Sequence, residues 1–168
     1  MNATHIHLLL NHFPIVGTLI GSGLLVWGII KNQNNYKAIA SFILVLMAII
    51  AIPVYLTGEP AEESVEKLAG VSDSIIELHE DAAALAIWLM IITGIAALLA
   101  MVSNWQKRKF TKTAFFSVFI LSVLSFASMA RTGYYGGMIR HSEISNEATV
   151  ILQQDNLNPV DENEQEDD

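Results

Sequence analysis

The chain has 168 residues, of which 52% are hydrophobic and 15% charged, and its mean hydropathy is +0.44. It has no cysteine, which excludes disulfides, thiolate metal centres, iron–sulfur clusters and covalent c-type haem attachment, and leaves histidine, carboxylate and methionine as ligands. The net charge of −8 comes mostly from two acidic segments, and no basic patch suited to a phosphate backbone is present, so no nucleic-acid partner is expected.

Four apolar runs follow one another, over residues 6–30, 38–56, 82–102 and 114–135. Each approximates the ~20 residues a helix needs to cross the hydrocarbon core. A helix is expected in each because every backbone N–H and C=O must be satisfied within the segment. The first run lacks a basic leader and a small-residue cleavage site, so it reads as an uncleaved span. The loop after it, 31–37, and the loop 103–113 are short and basic. They hold Lys31, Lys37, Lys107, Arg108, Lys109 and Lys112 and no acid, while all 17 acids lie on the other side. The positive-inside rule then places these two loops in the cytoplasm and both termini outside, in the cytoplasmic membrane. Trp27, Tyr36 and Trp105 fall near the inner interface and Tyr55, Tyr134 and Tyr135 near the outer one, as an aromatic belt requires.

Between the second and third runs lies an outer loop, 57–81. Pro60 suits a helix start and is followed by Glu62, Glu63 and Glu66, acids favourable in a first turn. Gly70 would end that helix, and Ser72 would cap a second start running without a break into the third span. The expected fold is an all-α polytopic membrane protein, a four-transmembrane-helix bundle over residues 1–145. The tail, 146–168, ends in DENEQEDD and reads as an acidic disordered segment.

All five histidines converge on the outer leaflet under this topology. His5, His7 and His12 start the first run, His79 precedes the third, and His141 follows the fourth. His12 lies about 10 Å deeper than His5 at 1.5 Å per residue, where an ionisable group needs an interior partner. His7 and His12 are five residues apart, about 140° around a helix, and so address different neighbours. Pro14 frees a backbone carbonyl and can bend the helix. Gly17, Gly21, Gly23, Ser122, Ser125 and Ser128 would permit close helix approach. Gly136 and Gly137, with Gly133, suit either a flat macrocycle or a sharp turn beside His141. Arg131 suits either snorkelling to the headgroups or pairing with Glu59, Glu80 or a cofactor carboxylate.

The stretch His7-Leu8-Leu9-Leu10-Asn11-His12-Phe13-Pro14-Ile15, with the ending Gly136-Gly137-Met138-Ile139-Arg140-His141, resembles a bacterial four-helix membrane family of unknown function. The family is marked by a His-x4-His-Phe-Pro-Ile start and a Gly-Gly ending, and the likeness extends to about Ile144. This ending is shorter than the family's usual one. The resemblance implies b-type haem binding and electron transfer in the company of respiratory or cytochrome proteins.

Three functions fit the residues. The first is a b-type cytochrome with one or two haems near the outer leaflet, drawing axial ligands from His7, His12, His79 and His141, with His12 and either His79 or His141 as the first pair. Its partners would be a quinol, a periplasmic cytochrome or the other subunits of a respiratory complex. The second is a zinc, copper or iron site without haem, from the same histidines with Glu80, Asp81, Glu143 and Glu59. The third is a non-catalytic membrane subunit. No phosphate-binding glycine loop or Ser–His–acid set supports an enzyme class.

Overall fold

A computed structural model of the chain describes residues 3–62 and 73–140. The tail, His141, Glu143, Gly70 and Ser72 lie outside the described residues. Among the described residues there are six helices and no strand: α1 (Ala3–Leu10), α2 (His12–Ile30), α3 (Asn34–Leu56), α4 (Gly58–Glu62), α5 (Asp73–Trp105) and α6 (Thr111–Arg140). Four helical stretches are long and apolar enough to cross a membrane: Thr4–Ile30, Asn34–Leu56, Asp73–Trp105 and Thr111–Ile139. The protein is thus a multi-pass four-helix bundle.

The first span is α1 and α2 joined through Asn11. Pro14 cannot donate to the carbonyl of Leu10 and its ring crowds that turn, so the helix is interrupted there while Asn11 N–H still bonds to the His7 carbonyl at 2.9 Å. Both basic loops are tight reversals of one kind. After α2, Asn32 takes a left-handed conformation (φ 51°), its N–H bonds to the Ile29 carbonyl, and Gln33 N–H bonds to the Gly28 carbonyl. After α5, Lys107 (φ 52°) bonds to Asn104 and Arg108 to Ser103 in the same way. These are Schellman closures, which satisfy carbonyls that a helix end otherwise leaves open.

The helices form a closed ring in which α2 packs on α3, α3 on α5, α5 on α6, and α6 back on α2. Small residues set the spacing. Gly17 and Gly21 of α2 face Met47 and Leu44 of α3, and Gly94 of α5 meets Ala48 of α3 so closely that a Cβ would stand 2.5 Å from the alanine methyl. Gly23, expected among the close-approach residues, faces open space. The core is lined by Leu25, Ala40, Leu44, Met90, Ala97, Ala100, Phe115 and Val118, none more than 1% exposed.

Through the middle runs a set of buried hydroxyls. Ser22 and Ser122 lie 2.8 Å apart, as do Thr93 and Ser125, while the Thr18 hydroxyl reaches the Met90 sulfur at 3.5 Å. Interhelical hydrogen bonds of this type contribute on average ~0.6 kcal/mol each in a membrane. The outward-facing surface is apolar, including Leu19, Ile20, Phe42, Trp88, Leu99 and Phe116. In lipid this is the solvated face, and the bilayer is the partner of this surface.

Candidate functional site

The end of the bundle opposite the two basic loops is assembled by α1, α4 and the adjoining turns of α3, α5 and α6. At 33 residues α5 is about 50 Å long, and so it exceeds a ~30 Å hydrocarbon core by several turns. His79 lies in this outer extension, as expected from a helix that runs unbroken into the third span.

Two histidines have their ring orientation fixed by backbone carbonyls. His7 on α1 shares a 3.0 Å hydrogen bond between Nδ1 and the Val54 carbonyl of α3. That carbonyl, in the last turn of α3, also accepts from the Thr57 hydroxyl at 3.1 Å. His79 on α5 makes the equivalent bond, 2.9 Å, to the Thr132 carbonyl of α6. The carbonyl can only accept, so in both rings Nδ1 carries the proton, and in the neutral ring Nε2 is the lone-pair nitrogen. The two imidazoles are near enough to interact electrostatically.

Gly136 makes the His79 bond possible. It lies one helical turn beyond Thr132, over the same face of α6. A Cβ at Gly136 would be 3.1 Å from His79 Cε1 and 3.4 Å from Nδ1. The ring thus rests directly on the α6 backbone. The room that the sequence suggested beside His141 is occupied, at Gly136, by His79. Gly137 faces outward with nothing within 4 Å. Gly58 plays a milder version of the same part for His7, whose Cε1 would lie 3.7 Å from a Cβ there.

A carboxylate group adjoins the pair. Glu62 Oε1 of α4 lies 4.0 Å from His79 Nε2, with both side chains largely buried. Burial pushes the Glu62 carboxyl up to about 8, reinforced by a hydrogen bond with Glu80 and by the negative charges of Glu80 and Glu59. Glu62 therefore holds a proton at neutral pH that the unfolded chain would release near pH 4.5. A raised carboxyl binds more protons folded than unfolded, so its contribution to stability is complete below pH 4.5 and is lost as the pH climbs through about 8. The thermal midpoint of the detergent-solubilised protein is accordingly expected to fall across this window, and the Glu62→Gln variant to show a flatter profile. A variant profile parallel to that of the parent would remove Glu62 as the source.

The other sequence candidates are placed differently. His12 is exposed, and its Nδ1 contacts the side chain of neighbouring Asn11. His5 is exposed too. As their spacing required, His7 and His12 point different ways. His79 lies within electrostatic reach of His7; of the expected first pair, His12 with either His79 or His141, His141 lies outside the described residues. Arg131 is exposed, over the Tyr135 ring at 5.4 Å with a long 3.5 Å contact to its hydroxyl, and has no carboxylate partner among the described residues. That is the snorkelling arrangement. Glu62, which sequence reasoning treated only as a helix-start acid, turns out to belong to the site. Its position three residues after Glu59 gave no sign of the contact with α5.

Among the described residues no three histidines or carboxylates converge in a geometry that could hold a metal ion. No protein-family model matches the chain, and searches of curated proteins and of solved structures give no match either.

Proposed function

We propose that the protein is a membrane-bound electron carrier with b-type haem held at the outer end of the bundle, and that His7 and His79 are its foremost ligand candidates. The observation that carries this reading is the pair of imidazoles on separate helices, each with Nδ1–H committed to a backbone carbonyl and Nε2 left as the donor nitrogen. An axial histidine needs this arrangement: the carbonyl fixes the tautomer and ring orientation and raises the basicity of the ligating nitrogen. Two donors suffice for haem, whereas a bare metal site calls for three or more. Bound haem supplies one-electron redox chemistry. The chain's own residues orient the ligands through Val54, Thr132 and Gly136. His12, His141, Gly137 and Arg131 remain candidates for further ligand or contact roles.

A site at this end exchanges electrons with a quinol or with a periplasmic cytochrome, alone or as a subunit of a respiratory complex. This rests on the orientation given by the basic loops, with the bundle in the cytoplasmic membrane and both termini outside. The competing reading, a zinc, copper or iron site without haem, draws on the contact between Glu62 and His79.

The test is the absorption spectrum of protein expressed with ample haem, oxidised and then reduced with dithionite. A Soret band that sharpens and shifts on reduction is expected for the parent, retained in His12→Ala and lost in His79→Ala. A featureless parent spectrum would sink the haem reading, and metal analysis of the same sample would then test the alternative.

A further inference from the structure

The opposite end of the bundle carries a different kind of site. A cleft of about 360 Å³ opens between the starts of α3 and α6, lined by Ile29, Asn32, Lys37, Lys112 and Phe115. Lys37 is only 5% exposed. Gly28 is the cause, because α2 approaches so closely there that a Cβ would lie 2.9 Å from the Lys37 backbone nitrogen. The Lys37 ammonium stands 5.4 Å from the centre of the Phe115 ring, and this is its one side-chain partner among the described residues.

Among the described residues no carboxylate pairs with the lysines of this end. No Asp or Glu occurs in residues 1–58 or 82–142. The first turns of α3 and α6 contain no acid, and the residue preceding α3, Gln33, makes no side-chain cap. Two helix N-termini, each the positive end of a macrodipole, thus coincide with two lysines in one recess. Lysine in a first turn is the unfavourable choice, and burying its charge without a counter-ion is costly. With no acid on the spans or loops that form this end, an external anion is the natural source of the missing negative charge. The recess lies at the level where Trp27 and Trp105 mark the headgroup region, and its apolar wall of Ile29 and Phe115 continues toward the hydrocarbon.

We propose that this cleft binds the phosphate of an anionic phospholipid headgroup, with Lys37 and Lys112 as its cationic contacts. A basic pocket between helices at the membrane surface is the arrangement that selects anionic lipid. The phosphate itself could also come from free solution, and the lipid source is favoured by the apolar wall.

Native mass spectrometry of the full chain, titrated in detergent with phosphatidylglycerol, phosphatidylcholine or inorganic phosphate, tests this. Phosphatidylglycerol should be retained over phosphatidylcholine. The exposed Lys112→Gln should weaken that retention about fivefold, while Lys109→Gln leaves it unchanged. Lys37→Gln should weaken it further, but Lys37 also packs on Phe115, so the Lys112 variant is decisive. Equal retention of both lipids, or no effect of Lys112→Gln, would overturn the proposal. Displacement of phosphatidylglycerol by stoichiometric inorganic phosphate would overturn the lipid assignment in favour of a free-anion site.

Discussion

Replacing Gly136 with valine is expected to unseat His79 and, on the haem reading proposed above, to lower haem content on the order of tenfold, the scale seen when a group that orients a metal-bound histidine is lost. The cause is steric. His79 reaches the Thr132 carbonyl only because no side chain projects from α6 one turn further on, and even a Cβ there would press to 3.1 Å of the ring. Valine adds two methyl groups in the same direction. The ring must then rotate away, breaking the bond from Nδ1 and turning Nε2 off its axis. Gly137→Val is the matched control, since Gly137 has nothing within 4 Å. Loss of the Soret band in the first variant and its retention in the second is the expected result. Nitrogen NMR of labelled histidine gives a readout that does not depend on haem: the Nδ1-protonated tautomer of His79 should lose its single form in Gly136→Val. Equal behaviour of the two variants would show that Gly136 does not position the ring.

The second large effect concerns the bundle itself. Gly94→Leu should destabilise the protein by about 1–3 kcal/mol, the usual cost of forcing extra methylenes into a packed interior. The first added atom already collides with Ala48, a backbone-anchored methyl that has no rotamer into which to retreat. Either α3 and α5 separate, or the helices rotate and break the Thr93–Ser125 hydroxyl pair one residue away. In lipid no hydrophobic driving force holds helices together, so close contact and buried hydroxyls carry the association. A denaturant titration in mixed micelles measures the loss. Gly23→Leu on α2 should leave the midpoint unchanged, because Gly23 faces open space. A neutral Gly94→Leu would show that the α3–α5 contact is looser than these distances imply.

How much of this was legible in the sequence differs by level. Spans, loops and the closeness of Gly17 and Gly21 follow from hydropathy and small-residue spacing, because a bilayer restricts the chain to helices and each helix reports its own contacts locally. The unbroken outer extension of α5 was legible too, since nothing between Asp73 and Ala82 interrupts a helix. Gly23 was misassigned because a glycine pattern does not reveal which neighbour it meets. The site was legible as a group of histidines and no further. Which way His7 and His12 point depends on how Pro14 turns α1 relative to α2. That rotation is set by packing against α3 and α4 and not by the spacing of the histidines. Glu62 was invisible for the same reason, because its partner is 17 positions away on another helix.

The unequal lengths of the helices bear on how firmly this end is held. The 23 residues of α3 span about 35 Å, whereas α5 and α6 continue outward well beyond it. The imidazoles therefore sit at the last turn of α3, where α5 and α6 stand taller and α1 and the short α4 are laid against them. The contacts there are fewer than within the bundle, and α4 is anchored chiefly through Ala61 and Glu62. A cap held by so few contacts is expected to have a lower local stability than the membrane-embedded ring, so its amides should exchange with solvent ahead of those of α2, α3, α5 and α6.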